Sequence, residues 1–385
     1  MKPRAKHKSS PSEDDALLYT GGTGVEEEQT ESEETITEPF DPTKIRVETK
    51  SMTIDLLLTR MEEEELDLAP GFQRKGGIWT DAAQSRLIES ILIRIPLPAF
   101  YMDATDDNKW LVVDGLQRLT TLKRFVLEDE LSLDGLEFLS NVKGKTFSTL
   151  PRNFQRRIRE TQITVYLIEK GTPVEVKFNI FKRINTGGLP LSAQEIRHAL
   201  NQGKVTAFLQ ELAASAEFVS ASDGSIRDTR MADRECVLRF LAFRLTDFED
   251  YKSKDFDGFL NERMAALNRM HESELRGLAR EFKKAMVAAK GLFGRDAFRK
   301  RYYIESSRYP ISKALFEAWS VNLSQLTDSQ LELLHKRKAN LQVAFMALMR
   351  NHKDFDSAIS QGTGDPNKVR LRFGQVRRII GEVLK

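Results

Sequence analysis

The stretch that decides the fold is Trp110–Leu122, WLVVDGLQRLTTL. Trp110 to Val113 are apolar and β-branched, the composition of a buried strand, whereas the residues from Leu116 onward have helical spacing. A strand therefore runs straight into a helix, and the joint carries Asp114, Gly115, Gln117 and Arg118. Just upstream, AFYMDA (99–104) reads as a second strand, and the turn composition TDDN between the two makes a hairpin.

Further out, QITVYLIE (162–169) supplies another strand. SMTIDLLLTRM, from Ser51, predicts a helix, and LDLAPGFQRKGGIW leaves it through Pro70, Gly76 and Gly77. Asp81 with Gln84 resembles a helix start, and AAQSRLIESILIRI then has one apolar face until Pro96 and Pro98 stop it. Thr172, Pro173 and Glu175 predict a capping box opening a helix that ends at Asn185, and Ser192 with Glu195 predicts another. From Asn201 onward the periods are helical. The expectation is an α+β amino-terminal lobe followed by an all-helical one: a tail over 1–40, a first domain over 41–200 and a second over 201–385.

Composition bounds the function. With 385 residues, 40% hydrophobic and 30% charged, the chain is long enough for two lobes. No apolar run is long enough to span a bilayer, and MKPRAKHK is not followed by a signal-like core, so a cytoplasmic protein without membrane contact is expected. One cysteine, Cys236, excludes an internal disulfide and reads as a core residue; five scattered histidines give no zinc spacing. Residues 1–40 hold four Lys/Arg and ten Asp/Glu, with too little apolar content to order; the rest holds 55 basic against 47 acidic residues, about +8. A disordered acidic tail and a basic folded part are expected.

Two readings of the polar joint stand side by side. In one, a helix amino terminus at the sheet edge takes a phosphate: Gly115 lets backbone approach, Arg118 offers a forked pair of hydrogen bonds, and Asp114 holds magnesium or a water. In the other, Asp114 caps the helix and Arg118 pairs with it or with a surface acid. Two more loops share the site character. FQR with Trp79 sets a cation near a flat ring, and INTGG offers backbone amides with Asn185 and Thr186.

FQRKGGIW, VVDGLQRLTTL and FKRINTGGLPLSAQEIRHAL resemble, in order and spacing, three signatures of the amino-terminal domain family of GmrSD-type modification-dependent restriction enzymes. The resemblance covers about residues 50–205 and continues more loosely through RMADRECVLRFLAFR. It implies a ParB-like or sulfiredoxin-like domain with a small mixed sheet, a nucleotide pocket at a DGQQR-type motif, and NTP hydrolysis coupled to DNA processing in prokaryotic defence. That motif falls on Asp114, Gly115, Leu116, Gln117 and Arg118, with the upstream arginine at Arg74. Leu116 departs from the family's first glutamine: either turnover suffers, or position 116 faces the core and leucine is harmless. Longer members carry an HNH-type nuclease domain, and residues 200–385 offer no such pattern.

The expected protein binds an NTP with Mg2+, hydrolyses it, and acts on or near DNA. Asp114 and Gln117 carry catalysis, Asp114 the metal, and Gln73, Arg74, Gly115, Arg118, Asn185 and Thr186 the nucleotide. Basic stretches put Arg156, Arg157, Arg299, Arg301, Arg377 and Arg378 on DNA. The alternative is a nucleotide-gated module that recruits a partner nuclease without hydrolysis; direct nicking needs carboxylates clustered with Asp114, such as Asp103 or Glu195. The oligomeric state is open.

Overall fold

The computed structural model describes residues 23–26, 45–68, 79–184, 191–253 and 255–385. The chain divides into two compact units, one of residues 40–191 and one that joins 192–385 with the amino-terminal segment.

The first unit is built on one five-stranded mixed sheet of order β1-β5-β3-β4-β2. Its strands are β1 (Val47–Thr53), β2 (Leu66–Asp67), β3 (Phe100–Ala104), β4 (Trp110–Asp114) and β5 (Gln162–Glu169). The hairpin β3–β4 is antiparallel and β5 has the expected bounds; β5 lies parallel to β3 and antiparallel to β1. Four helices pack on one face: α1 (Ile54–Glu62), α2 (Asp81–Leu92), α3 (Leu116–Leu122) and α4 (Arg152–Glu160). Alternate strand residues Phe100, Met102, Val112, Val165 and Leu167 meet Leu57, Ile88, Leu119 and Ile158 there in one apolar core. On the other face α5 (Val174–Ile184) places Lys177, itself buried, on Asp103 at 2.8 Å.

Three local expectations change. Ser51–Thr53 belongs to β1, and the helix starts at Ile54 with the Thr53 hydroxyl accepting from Leu56 N–H; only Met52 of this edge strand is buried, so the apolar spacing that continues into the helix does not mark the boundary. Thr80, not Asp81, caps α2. Thr172 forms no capping box, because its hydroxyl exchanges hydrogen bonds with the backbone of Arg46 and ties the start of β1 to the end of β5.

The second unit is helical from α6 (Ala193–Leu200) to α16 (Pro366–Leu384), with only isolated β-bridges among its described residues. The Ser192–Glu195 capping box forms as expected. At the centre lies a helix, Ala232–Leu245, buried on nearly every side, with Cys236 fully enclosed and its thiol pushed up by burial. This core also contains charge. Glu317 is paired with Arg372, both without exposed surface, and Arg239 bridges to Glu235, which also holds Lys313.

Within the stretch expected to be a disordered tail, Thr23–Glu26 instead packs into this unit. Val25 is buried and bridges Ile311, Thr23 O accepts from Arg227 N–H, and Glu26 pairs with Lys300 at 2.6 Å. A single valine between a glycine and an acid is enough because the slot is shaped to it: an ideal Cβ on Gly24, at φ +79°, would lie 1.7 Å from Ser225 O.

Candidate functional site

The strand-to-helix joint is as sharp as its sequence requires. Gly115 has φ +103° and serves as the N-cap residue of α3 without any side-chain cap, so Asp114 points elsewhere. An ideal Cβ at Gly115 would sit 2.4 Å from Cδ1 of the buried Phe100 ring. The glycine is therefore required by packing as well as by backbone sign.

Arg118 closes over the same ring, its guanidinium carbon 4.3 Å from the Phe100 centroid. Its Nη1 donates to Pro98 O, and its Nη2 donates to Ala99 O at 3.2 Å and to Asp114 Oδ2 at 2.9 Å. The side chain is only 9% exposed. Burial pulls the guanidinium below its ordinary value, with Asp114 opposing. This corrects the expectation that Arg118 presents a fork to phosphate: the fork faces inward, onto two carbonyls that precede β3 and lie outside its ladder.

Asp114 remains one-third exposed, with Oδ2 fixed by Arg118. Leu116 packs against the core, so at this position leucine is a packing residue. Gln117 is half-buried, and its carbonyl accepts from the Thr121 hydroxyl. Gln73, Arg74, Asn185 and Thr186 lie outside the described residues.

Sequence reasoning missed the neighbours of Asp114. Tyr101 stands opposite Asp114 in the β3–β4 register and opposite Tyr166 in the β3–β5 register. The two tyrosine rings stack, with centroids 4.9 Å apart and planes 23° apart. Burial first, then Tyr166 and Asp114, push the Tyr101 phenol up. The available signal was the period of two: Tyr101 and Tyr166 alternate with core residues Phe100, Met102, Val165 and Leu167, which puts them on the opposite face.

The carboxylates considered for metal-dependent nicking each have partners within their own unit. Asp103 is occupied by Lys177 and Thr105, and Glu195 by the Ser192 cap. Among the described residues no group of three or more His, Cys, Asp or Glu could hold a metal ion. A lone Asp114 suits only a magnesium that brings phosphate and water oxygens with it.

The proposed DNA-contacting arginines have varied surroundings. Arg156 is exposed beside Glu160, and Arg157 donates to Leu92 O next to the Phe154 ring. Arg299 is buried and donates to Tyr309 O, Arg295 O and Ser225 Oγ, so its guanidinium is turned inward rather than towards a DNA surface. Arg301 pairs with Asp296, Arg377 with Glu249 and Asp247, and Arg378 with Glu382. Beside Arg301, Tyr302 and Tyr303 border a cavity of about 550 Å³ with Arg350, Lys353 and Asp356 on its wall.

The first unit is thus an α+β domain whose distinguishing feature is an Asp-Gly-x-Gln-Arg joint locked onto the sheet. Residues 56–201 match the family described as the GmrSD restriction endonuclease, N-terminal domain. The match runs past the first unit into α6. No curated protein matches the chain. No helix among the described residues is long and apolar enough to cross a membrane.

Proposed function

We propose that the protein is restriction-related, acting on or near DNA in the cytoplasm as part of defence against foreign DNA, and that its amino-terminal domain binds a nucleoside triphosphate at the Asp114–Arg118 joint. The family supports the restriction-related role. The observation that carries the nucleotide reading is a carboxylate, one-third exposed, held in one orientation by a buried arginine at a glycine turn that leads into a helix. In this reading Asp114 holds the magnesium that arrives with the phosphates, backbone N–H groups at the start of α3 face a phosphate, and Gln117 positions water. Arg118 acts through Asp114 rather than on the substrate.

The test is phosphate release from ATP, GTP, CTP and UTP with magnesium, with and without plasmid DNA, for the wild type and Asp114→Asn. Turnover should fall about 100-fold or more while nucleotide affinity changes little. Equal loss of both sinks the role given to Asp114.

A second reading is favoured by the inward fork of Arg118 and by Leu116 in the core. Both leave fewer groups to stabilise a transition state, which fits a nucleotide-gated DNA-binding or adaptor module that recruits a nuclease without hydrolysis. It predicts nucleotide binding without phosphate release, and nucleotide-dependent binding of DNA or of the nuclease.

A further inference from the structure

We infer that the Tyr101–Tyr166 pair is a stacking shelf for a nucleobase, placed so that the base lies on the sheet beside Asp114; the inference rests on reading the Asp114 joint as a nucleotide site. The strand registers align Thr49, Tyr166, Tyr101 and Asp114 in one row across β1, β5, β3 and β4. Thr49, Tyr166 and Tyr101 alternate with core residues and so lie on the face opposite the apolar core, and Asp114 joins the row where the β3–β4 register shifts between Tyr101 and Met102.

The neighbouring row shows what structural use of this face looks like. There Ile168 is buried and Asp103 is closed off by Lys177 from α5. The tyrosine row is not closed in this way: Thr49 is exposed, Tyr166, Tyr101 and Asp114 are half-buried, and among the described residues the two rings stack only on each other. Each of the two stacked rings, with planes 23° apart, has a second face onto which a third flat ring could add. The Asp114 carboxylate, paired with Tyr101 in the strand register, is the polar neighbour of this pair.

The shared chemistry is the nucleobase, and its source is either a free nucleotide or an unpaired base in a strand. Stacking is tolerant of base identity, so weak discrimination among ATP, GTP, CTP and UTP is expected. Affinities of Tyr166→Ala, Tyr101→Ala, Tyr166→Phe and the wild type would be compared for ATP, inorganic triphosphate and a short oligothymidine, all in the full chain.

Each alanine variant should lose about tenfold in ATP affinity, the phenylalanine variant should stay within about twofold, and triphosphate affinity should be unchanged throughout. Retained triphosphate binding also shows that a variant is folded. Tyrosine dependence for oligothymidine alone assigns the shelf to a strand. If the wild type binds ATP and all variants match it, the shelf is overturned and the nucleotide site stands. If the wild type binds neither ATP nor triphosphate, and no oligothymidine binding depends on the tyrosines, both fail.

Discussion

Gly115→Ala isolates what the joint needs for folding from what it needs for chemistry. At φ +103° an L-residue costs about 1–2 kcal/mol. The added methyl also meets Phe100 at 2.4 Å, and Phe100 has no exposed surface into which to move, so overpacking adds about 1–3 kcal/mol. The sum is about 2–5 kcal/mol, and at a urea slope of about 2 kcal/mol/M the unfolding midpoint of the sheet unit should drop by about 1–2.5 M. Hydrogen exchange of peptides covering β3 and β4, followed against urea, reads that unit separately from the helical one. The clash term has its own check. Phe100→Leu alone costs about 1 kcal/mol, but it withdraws the ring carbons from the new methyl, so the double variant should be more stable than additivity predicts by about 1–2 kcal/mol. A Gly115→Ala cost below about 1 kcal/mol, or strict additivity, would refute the claim that the glycine is held by Phe100.

Arg118→Lys should lower stability and turnover together, because lysine cannot serve Pro98 O, Ala99 O and Asp114 at once; a drop in nucleotide affinity with an unchanged unfolding midpoint would return Arg118 to direct phosphate contact. Glu317→Ala strands Arg372 in the core and should cost about 3–5 kcal/mol in thermal or urea unfolding, whereas Glu317→Leu with Arg372→Leu should recover most of it. His198, pulled down to about 4 by burial and by Arg234, is neutral when folded at pH 7, while the unfolded chain takes up its proton near pH 6.5. Its contribution is therefore complete above about pH 6.5 and is lost, by up to about 3 kcal/mol, as pH falls towards 4. Asp233, pushed up by burial, works in the opposite sense, so the readout is the difference between wild type and His198→Gln; identical pH profiles would refute it.

The parts of the fold legible in the sequence are those whose period is local. The β3–β4 hairpin, β5, the Ser192 cap and the helical character after Asn201 all rest on residues close in the chain. β1 was hidden because only Met52, of its seven residues, is buried, so its sequence shows little alternation; its pairing with β5 more than a hundred residues away is what makes it a strand. The composition of the Asp114–Arg118 joint was legible, but its direction was not. Nothing in DGLQR says which way a guanidinium turns, and the answer lay in the carbonyls of Pro98 and Ala99, twenty residues upstream. The Val25 anchor was invisible for a related reason: composition describes an average over a tail, and here one side chain meets a slot formed by Ser225 and Ile311.

The inward turn of Arg118 also narrows what chemistry at this joint can consist of. A buried arginine whose terminal nitrogens already donate to Pro98 O, Ala99 O and Asp114 has no fork left to offer a phosphate, so in the proposed reading neutralisation would come from backbone N–H groups and a metal on Asp114. Those two sources pull in the same direction as the rest of the geometry. The positive φ of Gly115 lets the chain turn at once from the sheet into α3, and the i,i+4 pair keeps the Asp114 carboxylate from folding back to cap those amides. An aspartate free to rotate would satisfy the helix start itself and close the proposed anion site. Held by Arg118 and one-third exposed, the Asp114 carboxylate is kept off the helix start, as the proposed metal-bound phosphate would require.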